Sequence, residues 1–323
     1  MAKRTSFDDK LAALKRLRGQ DGPEPGDVDV VRKAIGDRSN FLVAAAAEVA
    51  GAWRLAEVAP ELEAAFDRFL KDPVKTDKLC RAKLAIVEAL AKQEHDRPEV
   101  FEKASKHVQM EPAFGPPVDT APPLRATALM ALTRIDPSGV GERLVDALFD
   151  PAREVRCTAA SCLGAIGTEA AALVLRFKCR AGDGEPDVLS DALQGLLTIS
   201  PDNLPFVQDF LNSPVETSCE AAALAMGRSR LSQALGPLLE RAQTAGASIL
   251  KILLLAVAML RASAAIEALL DLVVEGSEPQ ALAALNALKI HKHDPKIRDR
   301  IATAAARSEI RAVQRQFAEE FQD

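Results

Sequence analysis

In the stretch DPAREVRCTAASCLGAIG, residues 150–167, apolar or small residues stand at Val155, Ala159, Ala160 and Leu163, and most positions between them are polar. That spacing puts one apolar stripe on a helix of 3.6 residues per turn. Counted from Asp150 as zero, the stripe falls at +5, +9, +10 and +13, with Arg156 at +6 and Gly164 at +14. The same offsets from Asp119 meet Leu124, Arg125, Ala128, Leu129, Leu132 and Thr133. From Asp183 they meet Val188, Ala192, Leu193, Leu196 and Leu197, and from Ser213 they meet Cys219, Ala222, Ala223, Met226 and Gly227. Weaker copies begin at Asp37, Asp77, Ala247 and Glu275. The last stripe position, +13, is then held in turn by Ala50, Leu90, Leu132, Leu163, Leu196, Met226, Leu260 and Leu288, and successive numbers differ by 40, 42, 31, 33, 30, 34 and 28. A recurrence in this range marks a stacked helical array.

After each copy comes a turn and a second apolar stretch, such as GERLVDALF (141–149), EAAALVLRF (169–177), LSQALGPLLERA (231–242) or SAAIEALLDLVV (263–274). Each unit is therefore a helix hairpin. Small residues at +9 and +10 let a neighbouring helix come close, and Gly164 at +14 is placed where glycine can end a helix in the left-handed region. Asp-Pro at 72–73, 136–137, 150–151 and 294–295, with Ser-Pro at 213–214, predicts helix starts, because Asp or Ser caps an N-terminus and Pro pre-sets its first turn. No alternating run is long enough to read as a strand. One segment breaks the array. VQMEPAFGPPVDTAPP (108–123) holds five prolines and cannot be a continuous helix. It reads as an ordered insert, either a passive connector over the repeat edge or a binding loop acting through Met110, Phe114 and the prolines.

The period, the hairpin unit, the Asp and Arg six residues apart (Asp150/Arg156, Asp119/Arg125) and the AAxxLG close resemble HEAT repeats. The shorter copies are similar to the HEAT-like repeats of the bacterial phycobilisome bilin lyase type. The resemblance covers roughly residues 37–308 and is best over 119–240. It implies an all-α, right-handed α-α superhelix, a solenoid of about eight two-helix repeats with terminal caps. It also implies that the Asp and Arg positions form ladders between adjacent repeats. The expected organisation is N-terminal capping helices and a loop over 1–36, the array over 37–308 with 108–123 inserted, and a capping helix over 309–323.

Composition changes this picture little. The 323 residues are 48% hydrophobic and only 4% aromatic, with no Tyr and a single Trp, in keeping with helices rich in Ala and Leu. A net charge of -5 argues against a general nucleic-acid binder. Locally, 291–316 carries seven Lys/Arg against three acids, which reads as a solvated end cap or a docking patch for an acidic partner. The five cysteines, Cys80, Cys157, Cys162, Cys179 and Cys219, form no CxxC pair and sit among small apolar residues, as buried reduced thiols do. They favour a cytoplasmic location. MAKRTSFDDKLAALKRL has no apolar core of a secretory leader, and ILKILLLAVAML (249–260) is too short to span a bilayer, so no membrane insertion is expected.

The candidate chemistry is thin. His95, His107, His291 and His293 include no HExxH, and the side chains of His291 and His293 would diverge on a helix. They read as solvent or turn histidines. The resemblance reaches a di-iron hydroxylase that depends on His-Glu dipeptides, and this chain has none. It also reaches alkyl-base DNA glycosylases, which need a basic groove and aromatic cradles. The lone Trp53 reads instead as a core plug in a hairpin turn, where other repeats place Ile135, Ile166 and Ile199. No residues match a dinucleotide or phosphate loop, and Ser161, Ser190 and Ser263 have no nearby histidine to activate them. The expectation is therefore no catalytic, cofactor-binding or metal residues and no cofactor. It is a non-catalytic scaffold with a protein partner of unknown identity along the concave face lined by the second helices. Its polar residues there include Arg143, Arg176, Lys178 and Arg241, and the contact residues are unassigned. A DNA-binding protein of the glycosylase type and a bilin lyase are the alternatives.

Overall fold

The computed structural model describes residues 6–136 and 139–321. They form two compact units, divided at Cys162 and Leu163. In the first unit the helices are α1 (Phe7–Arg18), α2 (Asp27–Ile35), α3 (Asn40–Ala52), α4 (Ala59–Phe69), a single turn α5 (Pro73–Thr76), α6 (Arg81–Lys92) and α7 (Glu99–Ser105). A two-stranded hairpin follows, β1 (Met110–Glu111) and β2 (Val118–Asp119), and then α8 (Pro122–Ile135), α9 (Gly141–Ala147) and α10 (Arg153–Ile166), within which the division falls. The second unit continues with α11 (Glu169–Ala181), α12 (Pro186–Ile199), α13 (Leu204–Leu211), α14 (Glu216–Ser229) and α15 (Leu235–Gln243). It ends with α16 (Ala247–Met259), α17 (Ser263–Glu275), α18 (Glu278–Leu288), α19 (Pro295–Arg307) and α20 (Arg311–Glu320). The fold is an all-α solenoid built from helix hairpins. Each first helix of a repeat is α3, α6, α8, α10, α12, α14, α16 or α18, and the helix after it is the second.

The apolar register places the core. Ala50, Leu90, Leu132, Leu163, Leu196, Met226 and Leu288 are all buried. Around them the pairs at +9 and +10, Ala46/Ala47, Ala128/Leu129, Ala159/Ala160 and Ala222/Ala223, are buried as well. In most repeats the first helix begins three residues after the zero position, as Asn40 follows Asp37, Pro186 follows Asp183 and Glu216 follows Ser213. The copy read from Ala247 departs from this, because α16 itself begins at Ala247. The zero position there is Thr244, which puts Val257 at +13, fully buried. The steps from Met226 to Val257 and from Val257 to Leu288 are then equal in length. The continuously apolar face of α16 hid this three-residue slip, since nearly every register of ILKILLLAVAML looks like a core stripe.

Glycine at +14 does not cap the first helix. Gly51, Gly164 and Gly227 lie inside α3, α10 and α14. A Cβ on Gly164 would stand 2.6 Å from Cα of Gly195, one on Gly51 2.9 Å from Cα of Ala89, and one on Gly227 2.8 Å from Cα of Ala256. In each case the partner stands at +12 of the next first helix in the corrected register. At these three junctions adjacent first helices therefore touch backbone to backbone at the same point, where a side chain has no room.

Asp-Pro and Ser-Pro punctuate the chain in two ways. Asp294 caps α19, accepting from the amides of Lys296 (3.0 Å) and Ile297 (3.4 Å). Asp150 and Ser213 instead close a turn ahead of the helix, accepting from Ala152 (2.8 Å) and Val215 (3.1 Å). Asp72 precedes α5 without a side-chain cap, and Pro137 lies outside the described residues. The insert also differs from expectation. It carries a short antiparallel pair, Met110 opposite Asp119 and Glu111 opposite Val118. Two residues per strand are too few to leave an alternating pattern in the sequence.

Candidate functional site

The Asp and Arg of the repeats build the predicted ladder in the first unit. Arg125, its side chain 4% exposed, donates to Asp119 (2.7 Å) and with Nε and Nη2 to both carboxylate oxygens of Asp150 (2.9 Å each). It thereby ties its own repeat to the next one. One repeat earlier, position +6 holds Lys83, which is fully buried with Asp77 at 3.0 Å. Asp77 also accepts from the amides of Ala82 and Lys83 and from Asn40.

The insert is bolted to this ladder by polar groups. Buried Gln109 donates to the carbonyl of Asp77 (2.9 Å) and to Glu111 (2.6 Å), and Glu111 accepts from Thr120 and from the amide of Leu79 (2.6 Å). Leu79 and Cys80 both adopt the left-handed region, with φ of 60° and 52°. Non-glycine residues hold that conformation only where their surroundings impose it, and here the Glu111 carboxylate grips the turn. Met110, Val118 and Phe114 project outward, Phe114 wholly exposed at the hairpin tip.

Two carboxylates of this network are held below their ordinary range. For Asp119, burial alone would raise the pKa, but the amides of Gln109 and Ala121 and the Arg125 guanidinium outweigh it. For Glu111, burial is likewise opposed and outweighed by Gln109, Leu79 and Thr120. A depressed folded-state pKa stabilises above the unfolded value near 4 and is lost as pH falls through the folded value. Thermal melts should therefore fall on acidification below about pH 4. A melting temperature unchanged across that range would contradict the assignment.

Several charges on the second helices pair with neighbouring elements of the array. Arg32 of α2 reaches Glu61 of α4 (2.8 Å), Lys103 of α7 reaches Asp67 of α4 (2.7 Å), and Arg300 of α19 pairs with Glu267 of α17. Arg143 binds Ser105 (3.0 Å) and Arg241 binds Thr244 (3.4 Å). Lys178 is not an exposed contact residue. It is buried against Asp183 at 2.8 Å, with both side chains 6% exposed. The sequence pool of Arg143, Arg176, Lys178 and Arg241 thus serves mainly to join elements of the array.

A surface that sequence reasoning missed lies on α11 and α13. In α11, Ala171, Leu175 and Cys179 face the core, while Leu173 and Phe177, one helical turn apart, are 62% and 66% exposed. Beside them Arg176 donates to Asn203 at the head of α13 (2.7 Å) and lies 4.7 Å over the Phe206 ring. Arg180 lies 4.8 Å over the same ring and 5.4 Å over Phe210. Phe206 and Phe210 are themselves 5.4 Å apart, in tilted contact. Arginines fixed on aromatic rings next to exposed Leu and Phe have the composition of interface anchors. The available signal was an excess of apolar positions, since EAAALVLRF is apolar beyond the width of one stripe.

Other candidate chemistry resolves into structure. His291 is buried, its Nε2 2.9 Å from the carbonyl of Ala258, rather than a solvent histidine. His95 sits 2.7 Å from Glu63, and burial lowers the pKa of His107. Cys80, Cys162, Cys179 and Cys219 are buried, and burial pushes the Cys80 and Cys179 thiols up to about 11 and about 12, which makes them inert. Cys157 is only half-buried. Trp53 is half-buried at the end of α3, its indole N–H donating to the Gln20 carbonyl at 3.1 Å, so it braces the α1–α2 loop more than it fills a core. Among the described residues no group of three His, Cys, Asp or Glu stands close enough to hold a metal, and no helix is long and apolar enough to cross a membrane.

Residues 118–196 match the family model for HEAT repeats. No curated protein sequence matches the chain. Among solved structures, the chain is similar to the CpcE–CpcF complex of phycocyanin lyase from Nostoc sp. PCC7120, with 19% identity and a TM-score of 0.39 over 72% of this chain and 91% of that one. It is also similar to human deoxyhypusine hydroxylase, with 20% identity and a TM-score of 0.31 over 80% and 92% of the two chains. A homology model of the AP-3 complex is similar at 11% identity and a TM-score of 0.46, over 98% of this chain and 72% of that one. With its hairpin units and its Asp–Arg ladder, the chain is identified as carrying HEAT repeats over the matched segment, residues 118–196.

Proposed function

We propose that this chain is a non-catalytic scaffold that binds a protein partner along the face of its second helices. The observation that carries this reading is the exposed Leu173–Phe177 pair beside the Arg176, Arg180, Phe206 and Phe210 stack. A monomer gains nothing by leaving two large apolar side chains in water next to arginines already fixed in place. Burying each against a partner stabilises a complex by about 1.5–3 kcal/mol, and a pre-ordered patch loses little side-chain freedom on binding. Such repeats offer an extended surface and need no pocket chemistry.

The test is affinity capture from native lysate with the natural chain and with a Leu173→Ser/Phe177→Ser variant. Both positions face solvent, so the variant should melt within about 0.5 kcal/mol of the natural chain. The expected result is a stoichiometric protein retained by the natural chain and lost by the variant. Equal recovery by both, or recovery of nucleic acid alone, would overturn the reading.

A further inference from the structure

The second unit contains a notch of about 410 Å³ that opens between α15 and α17. Its floor is apolar, formed by Leu239, Ala242, Leu250, Leu254, Ala268 and Leu272. Its rim is polar and carries Asp271 and Glu275 of α17 with Gln243 and Gln280. The two carboxylates are one helical turn apart and share a face. Along the second helices some carboxylates are bridged by a basic residue from a neighbouring element, as Glu61 is by Arg32, Asp67 by Lys103 and Glu267 by Arg300, while others, such as Glu142 and Glu240, have no such bridge among the described residues. Asp271 and Glu275 carry no ion pair among the described residues and face two glutamines instead. An apolar floor beneath two unpaired negative charges is complementary to an apolar side chain next to a positive one. The volume lies in the range of ligand-sized clefts.

We propose that this notch binds a segment of a partner protein that sets a Leu, Ile, Phe or Met side chain on the floor and a lysine or arginine against Asp271 and Glu275. The proposal extends the scaffold reading to a second surface of the same unit, separate from the α11–α13 patch. The apolar anchor beside the charge contact limits the water that reaches it.

The experiment selects short random peptides displayed on phage against the immobilised full chain. Selected peptides are then synthesised, and their binding is measured by fluorescence anisotropy at low and high salt. The expected peptides share a Lys or Arg beside a large apolar residue, and their binding weakens as salt rises. An Asp271→Asn/Glu275→Gln variant should bind them about tenfold more weakly, on the order of two surface-type charge contacts. Glu275→Lys, which places repulsion at the rim, should abolish binding. Both variants change exposed, unpaired groups and should melt as the natural chain does. Leu173→Ser/Phe177→Ser should bind the peptides normally, so loss of the α11–α13 reading and loss of this one give different results. Selection of peptides without a basic residue, of none at all, or of peptides indifferent to both α17 variants would overturn the proposal.

Discussion

Replacing Gly164 by leucine is expected to destabilise the protein by about 3 kcal/mol or more. The Cβ alone would stand 2.6 Å from Cα of Gly195 and 3.3 Å from its carbonyl oxygen, so the obstacle is backbone and cannot rotate aside. Helices α10 and α12 must separate, and the buried residues beside the contact, Leu163 and Leu196 among them, lose packing on both sides. Alanine at the same position gains about 1 kcal/mol in helix propensity and loses more to the clash. Gly236 in α15 provides the contrast. Apart from its chain neighbours nothing lies within 4 Å of a Cβ built there, and the following Pro237 offsets the gain in helix propensity, so Gly236→Ala should change stability by less than about 1 kcal/mol. Thermal and urea melts of the three variants check the order. Gly164→Leu melting no lower than Gly236→Ala would show that the first helices do not meet at this point. The reciprocal Gly195→Leu should cost a similar amount, and the double variant less than the sum, because one separation of the helices serves both side chains.

Replacing Arg125 by methionine should cost about 3–5 kcal/mol. The guanidinium is almost fully buried and holds two carboxylates, Asp119 with 22% and Asp150 with 14% of the side chain exposed. Its Nη1 also donates to the His107 carbonyl at 3.0 Å, which joins the segment after α7 to the ladder. Methionine fills similar volume but leaves both carboxylates facing each other without a cation. Arg125→Lys keeps the charge but cannot form the planar fork to Asp150 while reaching Asp119, so an intermediate loss is expected. The deficit of Arg125→Met should shrink as pH falls below about 4, since Asp119, whose folded pKa is lowered, then takes up its proton and its part of the ladder is itself lost. Chemical denaturation at neutral and acidic pH measures this. A deficit under about 1 kcal/mol at neutral pH, or one independent of pH, would mean that the ladder contributes little beyond geometry.

Much of the fold was legible in the sequence for a local reason. Each hairpin is set by contacts within and between neighbouring repeats, so a 3.6-residue apolar stripe repeated at a near-constant interval is enough to place its core. The last stripe position illustrates this, because every side chain standing there in the correct register is buried. The register failed only at α16, where uniform hydrophobicity removes the contrast that periodicity needs. The ladder role of Arg125 was legible only through the resemblance to HEAT repeats, which implies that Asp and Arg at these offsets join adjacent repeats, and the structure supplies its two carboxylate partners.

What the tertiary structure alone decided concerns groups brought together from separate repeats. Gly164 reads locally as a cap, and only the approach of Gly195 from the next first helix makes it a contact point. Lys178 reads as an exposed base, and only Asp183, folded back onto α11, makes it a buried one. The exposure of Leu173 and Phe177, and the unpaired Asp271 and Glu275 above an apolar floor, depend on what the neighbouring second helices do and do not supply. The sequence by itself determined the repeat and its core, because these follow from local period and burial. The proposed partner surfaces depend on the absence of an intramolecular contact, and an absence leaves no pattern along the chain.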